Sequence, residues 1–394
     1  MSSTPEENPF GAPPGDIWND VPLFREIQRV LMSSSGPVNW ELARQVGIAS
    51  ASLGTEDPAP SDEDRRGFED AVRVAELQVA GFTGLEAPSD IPKVEAVRRG
   101  QWVQANIEGL RALLEPAATK IGDAIATAQR EAMPEQAQAG VAQLLGQLSP
   151  LLLGAQVGTV LGTLAQQVLG QYDIAVPRPD GAGALLFVVP NIARFEKDWS
   201  LDPTEFRTWI AIHEVTHRFE FARPWALNRF RELIDDFTST LTLDLDELQQ
   251  RLASLDPSNP EGMQEMLAGQ ENLFGAVMDD EQRLKLGRIQ AFMTAAEGYG
   301  DHVMHALGAQ MLPSYARIDE AMRRYRETEQ VDPVFERLLG IEVKREQYRL
   351  GRAFCDTVVE LTDETTLARM WDSAEALPSM PELEEPRLWL ARSA

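Results

Sequence analysis

The chain has 394 residues, enough for one large domain or two to three smaller ones, and its 43% hydrophobic and 25% charged residues are ordinary for a globular protein. An excess of 62 acidic over 36 basic residues gives a formal net charge of −26. Phosphate backbones and anionic membrane surfaces repel such a chain, so the charge argues against nucleic acid as a partner.

The N-terminal residues and the cysteine content bear on the cellular compartment. Residues 1–16 lack the basic start and apolar core of a secretory signal, and we expect a disordered tail there. The single cysteine, Cys355, cannot form an intramolecular disulfide, so nothing indicates an oxidising compartment. Together these observations predict a cytoplasmic protein.

Residues 17–135 are predicted to form a helical N-terminal region, because three stretches carry apolar residues at helical spacing. The second stretch follows Ser61-Asp62-Glu63-Asp64, which resembles a capping box. The acidic or proline-rich stretches 56–60 and 86–92 are predicted loops. The three apolar stripes are Leu23, Ile27, Val30 and Leu31; Phe68, Val72, Ala75 and Val79; and Val103, Ile107, Leu110 and Leu114.

Residues 136–172 contain no charged side chain, which raises the question of a membrane span. The segment carries many glutamines, Pro150 divides it, and its most apolar part, 151–165, is shorter than the roughly 20 residues of a spanning helix. Gly154, Gly158 and Gly162 lie on one face of a helix. We therefore expect no integral membrane segment but a buried helix that another backbone approaches closely.

Two strands are predicted next, at 172–176 and 184–189. Both are short runs of apolar and β-branched residues that end at a proline. The sequence 177–181 between them, PRPDG, has strong turn chemistry. We expect a hairpin or two strands of a small sheet.

A helix start follows at Asp202-Pro203-Thr204-Glu205. Asp202 can cap the helix, Pro203 suits its first position, and Glu205 completes a capping box. The helix should run to about Phe221. Its aromatic and aliphatic residues predict that it is buried, and it carries the sequence AIHEVTHRF at 211–219.

His213 and His217 lie one turn apart, so both rings project from the same helix face and can bind one zinc ion. Catalytic zinc usually has three protein ligands and one position for water, whose pKa the metal lowers. Glu214 flanks the first histidine and can act as the base that takes the proton of that water. The alternative is a solvated helix face on which Glu214 pairs with Arg218.

The remaining two histidines lie in the sequence AAEGYGDHVMH at 295–305. Glu297 falls on or near the apolar stripe of this helix, where an unpaired carboxylate is costly and needs a cation or donor. Zinc is one candidate partner, and Arg288 is the alternative. Gly298 and Gly300 weaken a helix interior, so we expect them to allow close contact with another element, the histidine helix.

The motif HEVTH, followed by Glu297 and Asp301 four residues apart, resembles the zincin metallopeptidases whose third zinc ligand is a glutamate. The runs HEVTHRFEFARPW and EGYGDHVMHALG further resemble a bacterial family of zincin-like hydrolases. The resemblance implies that His213, His217 and Glu297 bind zinc, that Glu214 is the base, and that Asp301 supports a ligand histidine.

A donor to the oxyanion is also required. His305 is a candidate because it lies eight residues after Glu297, near the same helix face. Tyr299 and His302 are weaker candidates. His302 is rotated from Glu297 by helical geometry and should point elsewhere.

We therefore expect a mostly α protein with a small β-sheet (α+β). A zincin-like core at 136–312 would lie between the helical region 17–135 and a helical C-terminal region, 313–394. The strand at 185–189 is the candidate edge strand for main-chain pairing with an extended substrate. The expected function is zinc-dependent hydrolysis of a peptide or protein substrate. The alternatives are an inactive, zinc-stabilised scaffold or binding protein with a zincin fold, and a metal-free helix whose motif serves packing alone.

Overall fold

The computed structural model describes residues 36–132, 135–172, 183–240, 280–328 and 344–393, and within them it confirms a mostly α protein with a small β-sheet. The described strands are β1 Lys93–Val97, β2 Gly170–Tyr172 and β3 Ala184–Val188. The described helices are α1 Trp40–Ala51, α2 Asp62–Thr83, α3 Arg99–Ala132, α4 Glu135–Ala165, α5 Val189–Trp199, α6 Pro203–Phe221, α7 Pro224–Ser239, α8 Asp280–Met311, α9 Tyr315–Thr328, α10 Lys344–Leu361, α11 Glu364–Ala368, α12 Met380–Glu384 and α13 Pro386–Ser393, with a 3-10 turn at Arg369–Trp371.

Several predicted features lie outside the described residues. These are the tail at 1–16, the first apolar stripe from Leu23 to Leu31, the turn at 177–181 and all of the strand 172–176 except Tyr172. The predicted loops at 56–60 and 86–92 contain neither helix nor strand, as expected.

The sheet has the strand order β1-β3-β2, with β1 parallel and β2 antiparallel to β3. The prediction that 185–189 is an edge strand for substrate is therefore wrong. β3 lies in the centre of the sheet, and its main-chain groups already pair with both neighbours. In addition, Val189 starts α5 and does not continue the strand. β1 was not predicted, because its pairing partner lies about 90 residues further along the chain and leaves no local signal.

All five residues of β3 are buried, and they alternate between two hydrophobic clusters. Leu185 and Phe187 belong to the larger cluster, which also contains the apolar residues of α6. Ala184, Leu186 and Val188 belong to the smaller cluster, together with residues of α1, α3 and α4. A strand covered on both faces needs apolar residues at every position, and this explains the unbroken run ALLFV.

Helix α2 begins at the predicted capping box. Ser61 accepts a hydrogen bond from the Asp64 N–H at 3.1 Å, and Asp64 accepts one from the Ser61 N–H at 2.9 Å. The predicted stripe of Phe68, Val72, Ala75 and Val79 is buried in the larger cluster. Phe68 stacks on Phe187 of β3 at a centroid distance of 4.5 Å, which places α2 against the sheet.

The predicted glycine face of the uncharged segment lies on α4 and packs against α1. A Cβ atom built on Gly158 would lie 2.4 Å from the Ala43 carbonyl oxygen, and one on Gly154 would lie 2.4 Å from that of Asn39. Only residues without a side chain allow this approach, so the prediction of a close backbone contact is confirmed. Pro150 lies inside α4 and does not divide it. Among the described residues, no helix has both the length and the apolar content needed to cross a bilayer.

The larger cluster joins parts of the chain that are far apart in sequence. It contains Phe68 from the N-terminal region, Trp209 from α6, and Phe354 and Trp389 from the C-terminal helices. The limits of the core at residues 136 and 312 stay a prediction. Residues on both sides of these limits bury the same helix, α6, that carries the two histidines of the motif.

Candidate metal centre

Helix α6 spans the predicted residues, and its start is partly as expected. The Asp202 carboxylate accepts a hydrogen bond from the Glu205 N–H at 3.0 Å, and Pro203 occupies the first turn. The expected capping role of Glu205 is wrong, because its carboxylate accepts hydrogen bonds from the N–H, at 2.8 Å, and the hydroxyl of Ser314. Glu205 thus fixes the start of α6 to the segment that precedes α9.

Three predicted ligands converge between α6 and α8. The Nε2 atoms of His213 and His217 are 3.1 Å apart, and each lies 3.6 Å from Oε2 of Glu297. One nitrogen or oxygen atom from each residue lies within 4.8 Å of those of the other two. The alternative partner for Glu297, Arg288, is therefore not needed to explain this half-buried carboxylate.

The donor set fits a metal ion. Glu297 Oε2 is buried and has no hydrogen-bond partner among the described residues, although it faces two imidazoles. Burial opposes ionisation of Glu297, but His213 and His217 hold the pKa of its carboxyl group well below the usual range. An anionic oxygen beside two Nε2 atoms is a donor set suited to zinc.

Close packing of α8 on α6 brings Glu297 to the histidines. A Cβ atom on Gly300 would lie 3.0 Å from Cε1 of His217 and 3.2 Å from Cε1 of His213. The predicted contact with the histidine helix is thus confirmed for Gly300. It is wrong for Gly298, where a Cβ atom would lie 2.2 Å from the carbonyl carbon of Gly351 in α10. The two glycines allow close contacts on different sides of α8.

Glu220 supports His217, and sequence reasoning missed it. Its Oε2 lies 2.8 Å from Nδ1 of His217, and the residue is 0% exposed. Burial raises the pKa of Glu220 to about 7, although His217 opposes the shift. The distance between Nδ1 and Oε2 is that of a hydrogen bond, so one proton lies between these two atoms. Asp301, expected in this role, has its Oδ2 atom 3.5 Å from Nε2 of His305 and 3.7 Å from Nη1 of Arg352. The spacing of three residues between His217 and Glu220 on a buried helix was the available signal.

Glu214 lies beside strand β2. Its Oε2 accepts a hydrogen bond from the main-chain N–H of Tyr172 at 2.7 Å, and the residue is 6% exposed. Burial raises the pKa of Glu214, while His213, His217 and the Tyr172 N–H oppose the shift. The carboxyl group of Glu214 is thus largely shielded from solvent, and it belongs to the residue that follows the candidate ligand His213.

The alternative interpretation of the motif, a surface ion pair between Glu214 and Arg218, is wrong. Arg218 is buried, and it bonds to the carboxylate of Glu76 on α2 and to the carbonyl and carboxylate oxygens of Asp90. It fastens α6 to α2 and to the segment before β1. Arg218 and Glu214 therefore leave α6 in different directions and have different roles.

The structure does not bring His305 into the group of three ligand atoms. Its Nδ1 lies 2.7 Å from the Tyr315 hydroxyl and 3.3 Å from Oδ1 of Asp319, and its Nε2 faces Asp301. Tyr299, a weaker candidate for the oxyanion donor, packs edge-on against Trp371. The oxyanion role of His305 stays a prediction.

His302 belongs to an ion-pair cluster that joins α8 to α10 and α11. Its Nδ1 lies 2.7 Å from Oδ1 of Asp356, and its Nε2 lies 3.1 Å from Oε1 of Glu364. Burial disfavours the charged ring, but the two carboxylates outweigh it and raise the pKa of His302 to about 9. Both nitrogens are therefore protonated at neutral pH, which makes this ring a cation and not a metal ligand.

This cluster predicts a pH-dependent contribution to stability. Because the pKa of His302 is raised in the folded state, the contribution should be complete below pH 6.5 and lost as the pH rises through about 9. The shift corresponds to about 3 kcal/mol. In urea titrations at pH 6 and pH 10, the parent should lose about that much more free energy of unfolding than His302→Gln. Equal losses in both proteins would contradict the prediction.

Comparisons with known proteins identify the family to which the chain belongs. The model of a family described as zincin-like metallopeptidase matches residues 38–390. A protein from Chloroflexus aurantiacus, whose crystal structure is described as that of a provisionally assigned hydrolase with a novel fold, is 30% identical. The match covers 90% of this chain and 98% of that one, with a TM-score of 0.65. No curated protein matches the chain. The chain therefore belongs to the zincin-like metallopeptidase family.

Proposed function

We propose that the protein is a zinc-dependent metallopeptidase whose metal ligands are His213, His217 and Glu297 and whose base is Glu214. The observation that carries the proposal is the convergence of two Nε2 atoms on a buried carboxylate oxygen without a hydrogen-bond partner among the described residues. A second carboxylate, that of Glu214, directly follows the ligand His213 in the sequence and is not one of the three proposed ligands. This combination suits hydrolysis better than a purely structural site, which has no use for a base.

His213 and His217 would hold the metal through Nε2, and Glu297 through Oε2. Zinc in such a site lowers the pKa of a water molecule toward neutrality and polarises a carbonyl group. Glu220 keeps a proton at Nδ1 of His217, so the lone pair of Nε2 remains available to the metal. The same hydrogen bond fixes the plane of the ring.

Glu214 would carry the proton during hydrolysis. Its carboxylate takes a proton from the attacking water, and the oxygen of that water forms the new bond to the peptide carbon. When the C–N bond breaks, Glu214 returns the proton to the leaving amine nitrogen. Burial raises the pKa of Glu214, and a carboxylate with a raised pKa is a stronger proton acceptor than an ordinary glutamate.

The proposal predicts about one zinc ion per chain and cleavage of peptides by the zinc-loaded protein. Protein exposed to zinc and desalted would be analysed for metal, and its action on a mixture of unstructured peptides would be followed by mass spectrometry of new termini. Binding should weaken as the pH falls, because protons compete with zinc for the ring nitrogens. A chelator should abolish cleavage, and added zinc should restore it.

The other outcomes of this experiment separate the alternative functions. Stoichiometric zinc without cleavage of any peptide would favour the inactive scaffold or binding protein. A sample that retains no zinc would reject the metal centre and leave a helix whose motif serves packing alone.

A further inference from the structure

Strand β2 presents one edge to β3 and the other to Glu214. Gly170 lies opposite Phe187 and Tyr172 opposite Leu185 in the antiparallel register. Along such a strand, the main-chain groups of successive residues point alternately to the two edges. The Val188 N–H donates to the Leu169 carbonyl at 2.8 Å, so the groups of Gly170 and Tyr172 point away from β3. The Tyr172 N–H, donated to Glu214 at 2.7 Å, follows this alternation.

Gly170 touches the same carboxylate from a second direction. A Cβ atom built on it would lie 2.6 Å from Oε1 of Glu214, 2.9 Å from its Cγ and 3.0 Å from its Cδ. These three nearest atoms all belong to Glu214. The carboxylate therefore occupies the space that a side chain at position 170 would fill. The crowded group is the end of a flexible side chain, so a methyl group at this position would displace Glu214 and not the strand.

We propose that β2 is a positioning strand for the base, in which the Tyr172 N–H holds Oε2 of Glu214 and Gly170 leaves room for Oε1. The inference rests on the proposed function of Glu214. The terminal torsion of a glutamate side chain is broad, so a carboxylate without such a donor samples many orientations. Because Oε2 is occupied, Oε1 is the oxygen that exchanges the proton with water. The strand next to the site thus acts on the base, whereas the sequence had suggested a strand that holds the substrate.

Gly170→Ala tests the contact at Oε1, and Tyr172→Pro removes the N–H that holds Oε2. A proline is compatible with an edge strand when its missing N–H faces away from the sheet. Gly81→Ala on α2 is the matched control, because a Cβ atom at Gly81 meets nothing within 4 Å. Zinc content should equal that of the parent in all three variants, since each of them keeps the three ligands on α6 and α8.

Two readouts report on the base itself. For a cleaved peptide, kcat should fall about 10- to 100-fold in Gly170→Ala at nearly unchanged KM, because a small misplacement of a catalytic group has an effect of this size.

The second readout is independent of turnover. Acetohydroxamic acid binds a metal through its oxygens and needs an acceptor for its hydroxyl proton. Its affinity for the zinc-loaded protein should fall about tenfold in Gly170→Ala and in Glu214→Gln, the loss of one hydrogen bond to a charged group. The double variant should lose no more than Glu214→Gln alone.

The outcomes separate the inference from the proposed function. If Glu214→Gln impairs both readouts while Gly170→Ala and Tyr172→Pro match the parent, β2 does not position the base and the inference is overturned, but the peptidase stands. If Gly170→Ala loses affinity equally in the presence and absence of Glu214, the strand acts through another group and the inference is again overturned. If Glu214→Gln matches the parent in both readouts, Glu214 is not the base and both proposals fail.

Discussion

Zinc affinity should fall by more than about 100-fold when Glu297 is replaced by alanine, because a direct ligand is lost and loss of a supporting group typically costs 10- to 100-fold. The variant removes the one carboxylate donor and leaves the two imidazoles as the remaining ligands. The measurement is a competition titration of each purified variant against a chromophoric zinc chelator. Far-ultraviolet circular dichroism would confirm that each variant is folded.

Substitutions of residues near the ligands should weaken zinc binding less than Glu297→Ala does. Glu220→Gln should weaken zinc binding by about tenfold, since an amide can still accept the Nδ1 proton of His217 but lacks the charge. Asp301→Ala should have a smaller effect, because the structure places its carboxylate near His305 and Arg352. His302→Ala should retain zinc, because the ring is engaged by Asp356 and Glu364. Release of the metal by His302→Ala but not by Glu297→Ala would instead indicate a site of three histidines.

Hydrolysis should fall by a factor of about 10² to 10⁴ in Glu214→Gln, which corresponds to roughly 3 to 5 kcal/mol of transition-state stabilisation. The amide has nearly the same shape, and its oxygen can still accept the Tyr172 N–H, so the geometry is kept while proton transfer is lost. The zinc content should equal that of the parent, which distinguishes this variant from Glu297→Ala. The measurement is kcat/KM of the variant and of the parent on the same peptide. Equal values would reject Glu214 as the base.

The features that the sequence predicted correctly are local ones. His213 and His217 share a face because helical spacing alone places residues four apart on the same side. Asp202 caps α6 as expected, because a cap depends on residues within one turn. The buried strand β3 was recognised from its unbroken apolar run, and the need of Glu297 for a partner was recognised from the cost of a carboxylate on an apolar stripe. Each of these inferences needs only the residues of a single helix or strand.

The tertiary structure alone decided which distant groups meet. Glu214 accepts the N–H of a residue 42 positions earlier, and Glu205 bonds to Ser314, which is 109 positions away, so neither contact follows from periodicity. Strand β1 makes β3 a central strand, and this removes the predicted substrate edge. The contacts of Asp301 were also set by packing, because its Oδ2 lies 3.7 Å from Nη1 of Arg352 on α10. The support of His217 is local by contrast, since Glu220 lies three residues after it on the same helix. Side-chain spacing sets the face on which a group lies, whereas the packing of helices and strands sets its partner.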